Sequence, residues 1–212
     1  MVVDAYVATP PSGSGPGVLV LHPWWGLNAT VRDLCDRLAA EGFAALAPDL
    51  FGGETTSDVA RATELSDALD LERGGPLVRG GLQQLLQHPA TRGSRVAVLG
   101  LSMGAWFSFW LAAEEPDAIA AVVVFYGTGD GPFDATRARF LGHYAEHDDF
   151  EPLEGVRALE EQIRDAGRAV TFHVYPGTGH WFFEPDVAQA YDPDAARLAW
   201  DRTVAFLGDE GA

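Results

Sequence analysis

Five short apolar runs punctuate the chain: Gly17 to His22 (GVLVLH), Phe43 to Ala47 (FAALA), Arg95 to Gly100 (RVAVLG), Ile119 to Tyr126 (IAAVVVFY) and Ala169 to Tyr175 (AVTFHVY). Most are continuous rather than alternating, as strands are when helices cover both sides of a parallel sheet. A weaker sixth run, Arg139 to Ala145 (RFLGHYA), belongs with them. Stretches of helical period lie between: Val31, Leu34, Cys35, Leu38 and Ala39 share one face, and Val156, Leu159, Ile163 and Ala166 another. Gly42 and Gly167 follow these as C-terminal stops. Ala196, Trp200, Val204 and Leu207 mark the docking face of a last helix. Strands alternating with helices imply right-handed crossovers and an α/β fold, a mostly parallel central sheet with helices on both faces. Its ligand site belongs beyond the carboxyl ends of the strands. Val2 to Ala8 reads as an edge strand and Thr9 to Gly17 as a turn-rich loop within the domain.

The chain has 212 residues, 47% of them hydrophobic, enough for one compact domain over 1–212. The least regular part is 49–79, where a glycine pair, a polar helix-like stretch and Gly74-Gly75-Pro76 follow one another; a cap near the site is expected there. Acidic residues outnumber basic ones 31 to 14, for a net charge of -17. Such a surface repels phosphate backbones and anionic lipid, so no nucleic-acid or membrane partner is expected. The single cysteine, Cys35, excludes an internal disulfide framework and a cysteine-based zinc site. No apolar run reaches the roughly 18 residues that span a bilayer. The start, Met1-Val2-Val3-Asp4, carries neither a basic segment nor a long apolar run. A soluble cytoplasmic protein, monomer or homodimer, is the expectation.

The strongest chemical signal is Gly100-Leu101-Ser102-Met103-Gly104, which follows the strand RVAVLG and opens an apolar helix, Ala105 to Ala113. A strand-to-helix turn this tight needs glycine at the flanking positions, and its sharpness lifts the serine oxygen above the sheet edge beside a helix N-terminus. A serine hydroxyl is a poor nucleophile until a base takes its proton and a third group holds that base's tautomer. Of the six histidines, His180 fits the base, in Tyr175-Pro176-Gly177-Thr178-Gly179-His180-Trp181, read as a flexible loop after the last strand. His88 lies upstream at a helix end, His173 sits mid-strand, and His143 and His147 belong to or follow the sixth run. The acid is expected between serine and histidine in sequence, on a loop at a strand's carboxyl end. Asp148 is favoured, with Asp149 and Asp130 as the alternatives.

VLVLHPWWGLN, ALAPDLFGG, VLGLSMGAW, AEHDDFEP and YPGTGHWFFE occur in the order of the dienelactone hydrolase family of α/β-hydrolases, and the chain resembles that family over nearly its whole length. The resemblance implies an α/β-hydrolase fold. In the family a short x-aromatic-x-Pro run follows the acid; Asp148-Asp149-Phe150-Glu151-Pro152 matches it and supports Asp148. The family's type member carries a cysteine nucleophile, where this chain has Ser102; Cys35 lies on a helix too far upstream to substitute. A glutamate commonly stands where this chain has Pro23, interacting with the thiol, and here both partners are absent. The family holds a substrate carboxylate with arginines, one shortly after the histidine, where this chain has Trp181, Phe182, Phe183 and Glu184.

An acyl-transfer site needs two amides aimed at the oxyanion, one from the residue after the nucleophile and one from the loop after an earlier strand. The first is Met103. Pro23 has no N–H, so Trp24 becomes the second. Trp24, Trp25, Phe51, Tyr126 and Trp181 form an expected aromatic rim for substrate, whereas Trp106 and Phe107 read as core. The expected activity is cleavage of neutral or apolar carboxylic esters or lactones through an acyl-serine, with no metal or organic cofactor. Two alternatives stand beside it: a dienelactone hydrolase of carboxylated lactones, and a non-catalytic homologue that binds a small apolar ligand.

Overall fold

The computed structural model describes residues 2–209. Each apolar run forms a strand. In chain order these are β1 (Ala5–Ala8), β2 (Gly15–Leu21), β3 (Ala44–Pro48), β4 (Thr91–Leu101), β5 (Ile119–Phe125), β6 (Arg139–His147) and β7 (Val170–Gly179). They make one sheet in the order β1-β3-β2-β4-β5-β6-β7. Only β1, at the edge, runs antiparallel to its neighbour; the other pairs are parallel. The central strands are buried from end to end, which is why their sequences do not alternate.

Among the described residues there are six helices: α1 (Ala29–Ala40), α2 (Val59–Asp67), α3 (Leu71–Gln87), α4 (Met103–Glu114), α5 (Leu153–Asp165) and α6 (Pro193–Gly208). Helices α1 and α6 pack Val31, Leu34, Cys35, Ala199 and Trp200 against one face of the sheet. Helices α3, α4 and α5 pack Val78, Leu82, Phe107, Val156 and Leu159 against the other. The buried face of α1 is the set that its period predicts, Val31, Leu34, Cys35, Leu38 and Ala39. Gly42 and Gly167, at φ 97° and 76°, take the left-handed turn that ends α1 and α5. Asn28 caps α1, its Oδ1 accepting from the Val31 N–H at 3.1 Å. Among the described residues no helix is long and apolar enough to cross a membrane.

Two segments differ from their sequence reading. Gly74-Gly75-Pro76 is not an irregular break: all three lie within α3, capped by Asp70, whose side chain accepts from the Arg73 N–H at 3.0 Å. The glycines serve helix packing. A Cβ at Gly74 would come within 2.5 Å of the Phe107 ring on α4, and one at Gly75 within 3.1 Å of Trp110. The glycine-rich segment before His180 is also not a free loop. Strand β7 continues through Gly179, with a register shift and a left-handed Gly177 at φ 73°. The Gly177 N–H donates to Glu146 Oε2 at 2.8 Å, so His180 leaves the end of a paired strand.

Candidate active site

One residue, Ser102, separates the end of β4 from the start of α4. Its backbone has φ 49° and ψ -114°, and its N–H donates to the Phe125 carbonyl at 2.9 Å. The flanking glycines are needed for close approach. A Cβ at Gly100 would lie 2.3 Å from the Gly104 carbonyl oxygen, and one at Gly104 would lie 2.2 Å from that of Leu21. Among the described residues three that are not glycine have positive φ: Ser102, Tyr126 and Trp181. Tyr126 and Trp181 both pack against the His180 ring, at centroid distances of 4.9 Å. Backbone strain is thus concentrated around one locus, where the surrounding packing holds it.

Ser102 Oγ lies 3.0 Å from His180 Nε2, and His180 Nδ1 lies 2.7 Å from Asp148 Oδ2. The side chains of His180 and Asp148 are 6% and 1% exposed, so water competes little for this contact. Asp148 Oδ1 accepts from the Phe150 and Glu151 amides at 2.9 and 3.1 Å. Burial alone would raise the Asp148 carboxyl, but the His180 contact and the two amides hold it below the ordinary carboxylate value. The structure therefore brings Ser102, His180 and Asp148 together. Asp149 and Asp130 are exposed. His143 is a core residue, its ring nitrogens 2.8 Å from the Tyr175 hydroxyl and 3.0 Å from Thr203 Oγ1. Cys35 is buried in α1, and burial pushes its thiol up to about 12.

The loop after β2 is built on His22, a residue that sequence reasoning passed over. Its ring is fully buried. Nε2 accepts from the Leu50 N–H at 3.1 Å, which leaves Nδ1 to donate to the Pro23 carbonyl at 2.7 Å. Burial lowers its pKa to about 4, so it stays neutral and can accept at one nitrogen while donating at the other. Within this loop the Trp24 N–H donates to no backbone carbonyl among the described residues. Met103, as the first residue of α4, has an N–H without an intrahelical acceptor. Trp24 and Met103 both line the cavity that contains Ser102 and His180.

That cavity measures about 530 Å³. Its aromatic walls are Trp24, Trp106, Phe107 and Phe150, and the 49–79 excursion adds Ser66, Leu69, Asp70 and Leu71. The expected rim is only partly there. Trp25 is buried behind Trp24, at 5.1 Å between rings, and packs on Ala62 of α2 and Val187. Phe51 sits edge-on to His22 at 5.0 Å, outside the cavity. Trp181 stacks on Trp24 at 5.8 Å and backs it rather than lining the space. Tyr126 is fully buried beneath His180 and its hydroxyl donates to Glu184 Oε1 at 2.7 Å. Conversely, Trp106 is 39% exposed and faces the cavity, and Phe107 reaches it from the core. Helix α4 is apolar nearly all round, so its sequence period could not tell a cavity-facing ring from a packed one.

Three further carboxyl groups lie around the site. Glu151 lines the cavity and accepts from the Thr128 N–H and hydroxyl at 3.2 and 2.7 Å, while burial raises its carboxyl. Asp70 lines it from the cap of α3, and no arginine does. Glu184, in the segment where the resemblance expects an arginine, lies fully buried below Tyr126, and burial raises it to about 8. Among the described residues no group of three or more His, Cys, Asp or Glu side chains is placed to hold a metal ion.

Residues 3–211 match the model of the Dienelactone hydrolase family. "Protein usf" of Aquifex pyrophilus is 33% identical over 97% of this chain and 92% of its own length. "Putative carboxymethylenebutenolidase" of Azospirillum brasilense is 33% identical over 96% and 92%. A solved structure named "m3DLH" superposes with a TM-score of 0.83 at 27% identity, covering 93% of this chain and 87% of that one. The chain belongs to the dienelactone hydrolase family and is a hydrolase of the esterase and lactonase kind.

Proposed function

We propose that this protein hydrolyses neutral or apolar carboxylic esters or lactones through an acyl-serine intermediate. The hydrogen-bonded sequence Ser102, His180, Asp148, opening into an aromatic cavity, is the observation that carries this reading. Ser102 Oγ attacks the carbonyl carbon while His180 Nε2 takes its proton. Asp148 holds the Nδ1–H and stabilises the imidazolium as it forms. The Met103 and Trp24 amides receive the charge that develops on the carbonyl oxygen. His180 then protonates the departing alkoxide, and a water, deprotonated by the same nitrogen, releases the acyl group from Ser102. In a lactone the two products stay joined as one hydroxy acid.

The cavity walls favour an apolar acyl or alcohol group, at about 25 cal/mol per Å² of apolar surface buried. The name of the Azospirillum relative points to a lactone that carries a carboxymethyl group. Against that substrate stand Asp70 and Glu151 and the lack of an arginine in the lining. A panel of p-nitrophenyl esters of increasing chain length, run beside neutral and carboxylated lactones, tests the choice. The expected result is kcat/KM at least tenfold higher for neutral substrates. A preference for the carboxylated lactone would overturn the substrate assignment and leave the acyl-serine chemistry standing.

His22 acts in this reading as a positioning residue for the Trp24 amide. His22→Ala leaves the Leu50 N–H and Pro23 carbonyl without their side-chain partner. It is expected to cost about 2–5 kcal/mol in urea unfolding, the scale of two buried unpaired groups. The folded variant is expected to lose kcat by roughly tenfold or more with KM little changed, because a misplaced oxyanion donor acts in the transition state. Unchanged kcat in the folded variant would remove His22 from the catalytic account.

A further inference from the structure

At the far end of the strands from Ser102 lies a second cleft, of about 1020 Å³. Its floor is a row across the sheet where the parallel strands begin. The register sets Val18 beside Ala97, Ala97 beside Ala121, and Ala121 beside Arg139. The small side chains of Ala97 and Ala121 leave the cleft open. Arg92, Arg95, Arg137, Arg139 and Arg168 all line it. The chain has 14 basic residues, every one an arginine, against 31 acidic ones. Five of the 14 therefore meet in one place on a chain of net charge -17, brought from the start of β4, both sides of the start of β6, and the turn before β7.

These arginines are oriented more than they are neutralised. Among the described residues Asp209 is the one carboxylate residue in the lining. Arg137 pairs with Asp117. Arg95 instead donates to the carbonyls of Ile119 and Arg137 at 2.6 and 3.3 Å. Arg139 donates to the Asp209 carbonyl at 2.6 Å and lies over the Phe206 ring at 4.0 Å. Arg168 Nε donates to the Ala166 carbonyl at 3.2 Å. Carbonyl acceptors fix the direction of a guanidinium without cancelling its charge, and gathered cations repel one another until an anion joins them. The guanidinium fork matches phosphate and carboxylate oxygens two at a time.

We propose that this cleft is a binding site for a small polyanion carrying two or more phosphate or carboxylate groups. It is separate from the site around Ser102: five residues of extended strand from Ala97 to Ser102 span roughly 17 Å. The proposal is independent of the chemistry assigned to Ser102. Its location at the amino ends of the strands also keeps it clear of the Asp70 and Glu151 carboxylates, which would repel the same ligand.

Isothermal titration calorimetry of the full chain at low salt, with inorganic pyrophosphate and separately with citrate, tests it. Saturable binding with Kd below about 1 mM is expected for at least one of them, and the tighter of the two identifies phosphate or carboxylate as the preferred group. The affinity should fall several-fold as sodium chloride rises past about 0.15 M, where screening shortens the reach of exposed charges. The double variant Arg92→Ala/Arg168→Gln is expected to bind at least tenfold more weakly while its ester turnover stays at the wild-type rate. Arg92→Ala alone, at an exposed position, gives the same direction without risk to folding. Absence of saturable binding by either anion, or equal affinity in the double variant, would overturn the proposal. So would binding that is lost in Ser102→Ala and kept in the arginine variants.

Discussion

Ser102→Ala is expected to lower turnover of a short-chain p-nitrophenyl ester by roughly three to six orders of magnitude, with KM changed far less. The substitution removes a single oxygen that lies 3.0 Å from His180 Nε2, and it leaves His180 tied to Asp148. Whatever rate survives would come from the Met103 and Trp24 amides and from binding in the cavity, as happens when a triad serine is lost elsewhere. A fluorophosphonate probe reads the same chemistry without a substrate. Wild-type protein is expected to carry one adduct, on Ser102, and the variant none. Cys35, with a buried thiol whose pKa is about 12, offers no competing nucleophile. Labelling of the variant, or ester turnover at the wild-type rate, would move the nucleophile to another residue. A folded wild-type protein that takes no label would favour a ligand-binding homologue.

Glu184→Gln is expected to change how stability depends on pH. In the unfolded chain this carboxyl ionises near 4.5, and in the folded protein near 8, because burial disfavours the charge. Between those values the folded state holds the extra proton. The stability this provides is therefore full below 4.5 and is lost as pH rises through 8, at about 1.4 kcal/mol per pH unit. His22 works the other way, since its pKa falls from 6.5 to about 4 on folding and its proton is the one the folded state refuses. Its window closes above its unfolded value, as does that of Asp148 at much lower pH. Between pH 6.5 and 8 the Glu184 effect stands nearly alone. There the wild type should lose about 2 kcal/mol more than Glu184→Gln in urea unfolding. The glutamine can still accept from the Tyr126 hydroxyl, so the variant should fold. Parallel curves for the two proteins would show that Glu184 ionises near its ordinary value.

The strands were legible because burial on both faces leaves an unmistakable run of apolar residues, and Ser102 because only glycine fits the two positions around it. Asp148 could be read from the Phe150 and Pro152 that follow it in the family pattern. His22 could not. It ends an apolar run as a strand residue would, and its role depends on Leu50, 28 residues away, whose amide only the fold brings to its ring. Glu184 was visible as a missing arginine but not as a buried acid, since nothing in Trp181-Phe182-Phe183-Glu184 announces that Tyr126 lies above it. Trp106 was misread for a different reason. On a helix apolar almost all round, periodicity carries no information about which ring faces an opening. The arginine cleft was hidden because its members are scattered over three segments of chain and converge only where parallel strands begin together.

The packing of Trp24 on Trp181 and Trp25, with Trp106 exposed across the cavity, puts four of the six tryptophans at a single place. The indoles of Trp24, Trp25 and Trp181 have buried N–H groups with no partner among the described residues. A molecule entering beside Ser102 would touch the Trp24 and Trp106 rings directly and displace water from them. The protein's own ultraviolet emission thereby becomes a gauge of occupancy, readable in a stopped-flow mixer without a dye, a label or a chromogenic substrate.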